Sequence, residues 1–134
     1  MDKIFKLSAN IYQFLLILII PLFLIAKFLV GAAGHNSAIT ILDYALFAYA
    51  IIVLILLINL KKLNAANQLK NSIRIVLSVL ILTSICYELY QLYAIYLLYK
   101  NHYFVEGDNI SIGIILLIIA LSTTLLAGLI KDKI

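Results

Sequence analysis

The chain has little charge and almost no cysteine. It carries 10 Lys and Arg and 6 Asp and Glu among 134 residues, so 12% is charged. A soluble domain has about 25%. A single cysteine, Cys86, allows no intramolecular disulfide, and no second thiol or nearby histidine completes a metal site around it. These shortages exclude a disulfide-stapled secreted module and an ordinary cytosolic enzyme. A basic stripe with interleaved aromatics on a polar surface is also missing, so the net charge of +4 does not point to nucleic acid.

What is abundant is apolar surface. Hydrophobic residues make up 66% of the chain, more than one small soluble core can hide. A hydrocarbon layer about 30 Å thick needs about 20 mostly apolar residues in a helix. Four stretches satisfy this, at about 11–30, 39–60, 73–99 and 110–130. Runs such as IIVLILLINL lack the alternation of a barrel strand, and lipid tolerates no other open backbone. The expected fold is all-α: one transmembrane domain over residues 1–134, four helices in an up-down-up-down bundle.

Orientation follows from Lys and Arg. Four spans put both termini and the middle link on one side, with Lys3, Lys6, Lys61, Lys62, Lys70, Arg74, Lys131 and Lys133. The opposite side has only Lys27 and Lys100. This bias places both termini in the cytoplasm. The N-terminal run resembles a secretory signal, but its apolar part exceeds the usual 7–15 or so residues. It is therefore read as a span.

Glu88 falls near the middle of the third span. A central charge costs roughly 2.5–3.5 kcal/mol or more, so intramembrane acids are candidate functional groups. At 3.6 residues per turn, Ser84 and Gln91 share its face, with Tyr87 at the edge. Two roles fit this polar stripe. One is a proton-carrying carboxyl in a transport path. The other is a protonated side chain hydrogen-bonded across helices. Tyrosines recur as Tyr87, Tyr90, Tyr93, Tyr96 and Tyr99, with Tyr103 beyond. Steps of three sweep round a helix, so they form no single face. The outer members suit an interfacial belt. A cation cage would need rings converging on one point.

Three weaker signals remain. Lys27 and Asp43 reach similar depth across the first link, which suits an ion pair or two separate interfacial charges. Ala120, Thr124 and Gly128 repeat at four-residue spacing and form a candidate packing seam. His35, His102, Glu106 and Asp108 share the outer side, without the spacing of a closed metal site. Pro21 interrupts the first helix's bonding to the Ile17 carbonyl.

Leu69-Lys70-Asn71-Ser72-Ile73-Arg74 opens the third span. Ser111-Ile112-Gly113-Ile114-Ile115 opens the fourth, which ends in a short lysine-bearing tail. In this half the chain resembles a family of uncharacterised small four-helix bacterial membrane proteins with cytoplasmic termini. The resemblance implies a bacterial origin and transfers no site residues. The sequence offers no cofactor motif and no nucleophile–base pair. The chain is therefore expected to be non-enzymatic, without a cofactor, and to act by binding another membrane component as an accessory, regulatory or immunity-type protein. Its expected partners are the bilayer and either another membrane protein or a second copy of itself. The alternative expectation is a small homo-oligomeric proton-coupled transporter or channel built on Glu88.

Overall fold

A computed structural model describes residues 2–32, 41–63, 68–102 and 107–134. It contains four helices: α1 (Asp2–Ala32), α2 (Ile41–Lys62), α3 (Gln68–Lys100) and α4 (Gly107–Ile130). Each is long and apolar enough to cross a membrane. α1 and α3 each pack against both α2 and α4, so the four helices form a closed ring of neighbours.

Two helices start well before the apolar runs that mark them. α1 begins nine residues ahead of the expected 11, because Phe5, Ser8, Ala9, Tyr12 and Leu16 form one buried row. That row has the spacing of a core-facing helix stripe, so the helix continues wherever it has something to pack against. α3 likewise starts at Gln68 and buries Ile73 one turn later. Hydropathy sees the membrane-crossing part only. α1 also runs through Pro21 without a break.

The core is confined to one half of the bundle. Its rows are Ala9, Tyr12 and Leu16 from α1, and Ala50, Val53, Leu57 and Leu60 from α2. α3 adds Ile73, Leu77, Ile81 and Ile85, and α4 adds Leu125 and Leu129. Among the described residues, none is fully buried in α1 after Leu16, in α2 before Ala50, in α3 after Ile85 or in α4 before Ser122. Lipid tails are as apolar as leucine, so these rows gain close packing more than dehydration.

Polar contacts tie the same half together. The Lys61 ammonium donates to Asn10 Oδ1 at 2.6 Å and Gln13 Oε1 at 2.5 Å, joining the end of α2 to α1. Arg74 pairs with Asp132, donates to Asn71 Oδ1 at 2.7 Å and reaches the Ile134 carbonyl at 3.4 Å. α4 stops in a left-handed cap: Asp132 has φ 65°, and the Lys133 amide donates back to the Gly128 carbonyl at 2.9 Å. The turn folds Ile134 over Gly128.

Gly128 is where backbones meet. A Cβ there would lie 2.9 Å from the Phe5 Cβ and 2.7 Å from Ile134 Cδ1. Ser122, six residues earlier on α4, is fully buried, and its hydroxyl has no hydrogen-bond partner among the described residues. The two positions make opposite predictions. Gly128→Ala should destabilise by about 1–3 kcal/mol through overpacking. Ser122→Ala should leave stability unchanged or raise it by about 1 kcal/mol, because it removes an orphaned polar group. Equilibrium unfolding in mixed micelles measures both.

Candidate functional site

Each helix carries its inward row past the packed core. The residues change character as it does so. α2 supplies Leu60, Leu57 and Val53, and then the small Ala50, beside which Tyr49, Leu46 and Ala45 border the cavity. α3 supplies Leu77 and Ile81, and then Ser84 and Glu88. Short and polar side chains cannot fill the space that leucines filled one turn before. The result is a cavity of about 520 Å³ to which all four helices contribute. Leu15, Ile19, Leu117, Ile118 and Leu121 line most of the rest.

The cavity's polar groups cluster on the α1, α2 and α3 sides. The Tyr12 and Tyr49 hydroxyls are 2.9 Å apart and share a hydrogen bond. Ser84 and Glu88 line the same wall from α3. Thr83 lines the wall but returns its hydroxyl to the Val79 carbonyl at 2.9 Å. Glu88 is half-buried and is the wall's one acidic residue, and no basic residue lines the wall.

The expected polar stripe is thus brought together in part. Ser84, Tyr87 and Glu88 all line the cavity. Gln91 lies one turn farther along α3 and donates from Nε2 to the Tyr87 hydroxyl at 2.7 Å, so it orients a wall residue. The stripe therefore faces into the bundle. Tyr12 and Tyr49, the other half of the polar cluster, escape a reading of α3 alone. Their only sequence signal is a tyrosine on each inward row, visible once the rows are aligned.

The other candidates are placed as follows. Lys27 holds its ammonium 5.0 Å from the centre of the Tyr44 ring, next along the chain from Asp43. Tyr44 packs edge-on to Phe23 at 6.0 Å, and Phe23 stacks on Phe47 at 4.6 Å. An aromatic cluster thus joins α1 to α2 beyond the core, where sequence reasoning had singled out only the two charges. Of the small-residue series, Gly128 is buried, Thr124 is half-buried and bonds the Ala120 carbonyl at 2.8 Å, and Ala120 is exposed. The buried row of α4 instead runs through Ser122, Leu125, Gly128 and Leu129.

Tyr90, Tyr93, Tyr96 and Tyr99 are exposed along the outer part of α3. Only Tyr87 of that series lines the cavity. His102 follows α3 in a left-handed conformation, φ 62°. His35, Tyr103 and Glu106 lie outside the described residues, as does the Asp108 side chain. No cluster of three or more metal-ligating side chains occurs among the described residues. Compared with protein families, curated proteins and solved structures, the chain matches none.

The tyrosine pair yields a prediction about coupling. A membrane-buried hydrogen bond averages about 0.6 kcal/mol. Tyr12→Phe and Tyr49→Phe each break the bond that the two hydroxyls share, so a double-mutant cycle in micelles should give a coupling of about 0.5–1 kcal/mol. Additive effects with no coupling would count against a shared bond.

Proposed function

We propose that this chain is a non-enzymatic, multi-pass protein of the bacterial cytoplasmic membrane that acts by binding another membrane component. In this reading the helices run up-down-up-down with both termini in the cytoplasm, as the distribution of Lys and Arg favours. The role is that of an accessory subunit, or of a regulatory or immunity-type protein. The weak likeness to small four-helix bacterial membrane proteins agrees with this setting.

One observation carries the reading: the bundle fills only half of itself. Beyond Leu16, Ala50, Ile85 and Leu125 the helices enclose the 520 Å³ cavity. Binding pockets in general are concave, mostly apolar and furnished with a few placed polar groups. The outer halves of the helices also present large apolar side chains, Leu22 and Phe28 on α1 and Tyr90 and Tyr93 on α3. Gentle extraction from native membranes followed by native mass spectrometry tests this. A stoichiometric foreign membrane component is the expected result, and a chain that comes out alone overturns it.

A second reading has its own support. Glu88 lies on the cavity wall, where a carboxyl can take up and release a proton as a cargo passes. That suits a homo-oligomeric proton-coupled transporter or channel, since four helices are few to enclose a pathway. Gln keeps the shape of Glu and its hydrogen bonds but cannot ionise. In vesicles with a proton gradient, Glu88→Gln should abolish coupled flux while assembly stays intact. Flux that survives the substitution removes this reading.

A further inference from the structure

The wall of the cavity is complementary to one kind of occupant. It carries one acidic residue, Glu88, and no basic one. Three tyrosines, Tyr12, Tyr49 and Tyr87, share the wall with it, and the remainder is almost wholly apolar. Aromatic faces attract cations, most strongly where water is excluded. An anion would meet an uncompensated carboxylate. A neutral ligand would leave that carboxylate without a counter-charge.

Depth and volume narrow the class further. Glu88 is 12 residues from the Lys100 end of α3, about 18 Å at the helical rise per residue. Against so apolar a wall, a compact, strongly hydrated ammonium ion pays a large desolvation cost. A cation whose charge is spread over an apolar body pays much less. At about 520 Å³ the space suits an organic molecule of drug-like size, and one carboxylate balances one positive charge.

We propose that the cavity is a binding site for a lipophilic organic monocation, with Glu88 as its counter-charge and Tyr12, Tyr49 and Tyr87 as its aromatic lining. The proposal concerns the same cavity as the partner-binding and transport readings, but it stands or falls on a separate measurement. A chain that captures a membrane partner but binds no such cation keeps the former and loses this one.

Tetraphenylphosphonium and tetraphenylborate test it directly, because they share shape and size and differ in the sign of the charge. With the full chain in micelles, radiolabelled tetraphenylphosphonium should bind saturably, and tetraphenylborate should not compete. Glu88→Gln should weaken binding at least tenfold. Ala45→Trp, which fills the cavity from α2 and leaves Glu88 in place, should abolish it; thermal unfolding confirms that each variant is folded. The proposal is overturned by an absence of saturable binding, by equal competition from the borate, or by full affinity in a folded Glu88→Gln chain. The comparison of the two ions uses the unaltered chain, so it decides the matter even where a variant fails to fold.

Discussion

A helix that packs in lipid gains nothing from escaping water, so its position depends on how well its inward row is filled. The rest of this structure follows from where that filling stops. Leu57 and Leu60, Leu77 and Ile81, and Leu125 and Leu129 are fully buried and belong to one core. Around them the four helices are held side by side. Where α2 reaches Ala50 and α3 reaches Ser84 and Glu88, the large side chains that follow line a cavity and do not close it. The cavity is therefore a consequence of residue size, set one helical turn at a time.

The packed half also explains why the unfilled half can exist. Interiors resist voids because lining atoms lose their partners. A bundle hollow along its whole length would collapse or slide. Here the Arg74–Asp132 pair, the left-handed cap at Asp132 and the Lys61 contacts with Asn10 and Gln13 all lie on the packed side. On the other side the aromatic cluster of Phe23, Tyr44 and Phe47, with Lys27 over the Tyr44 ring, bridges α1 and α2. Fixed geometry at one end lets the helices hold their spacing around empty volume at the other.

Much of this was legible in the residues, for physical reasons that differ from case to case. The four helices were legible because a crossing needs an uninterrupted apolar length. Their true starts were not, because the first turns of α1 and α3 are amphipathic and packed below the apolar run. The clustering of Ser84, Tyr87 and Glu88 followed from helical period alone. The cavity they line did not, since it depends on Ala45 and Ala50 facing them from another helix. In a chain this apolar, every side of a helix reads alike, so spacing cannot say which face turns inward. The small-residue series shows the difficulty: Gly128 belongs to the buried row of α4, and Ala120 does not. Lys27 shows another. Its ammonium lies 5.0 Å from the centre of the Tyr44 ring, a contact that a charge-pairing argument does not consider.

Glu88 ties these threads to function. Glu88 borders a largely apolar wall, and among the described residues no basic side chain shares that wall. On the same wall the Tyr12 and Tyr49 hydroxyls are engaged with each other, and that of Tyr87 with Gln91. The network around Glu88 is therefore satisfied without it. A carboxyl kept only to glue helices would be expected inside such a network, spanning two helices. Glu88 instead borders the space that the network encloses. Its position makes physical sense when that space is occupied by something that supplies the missing charge or the missing proton.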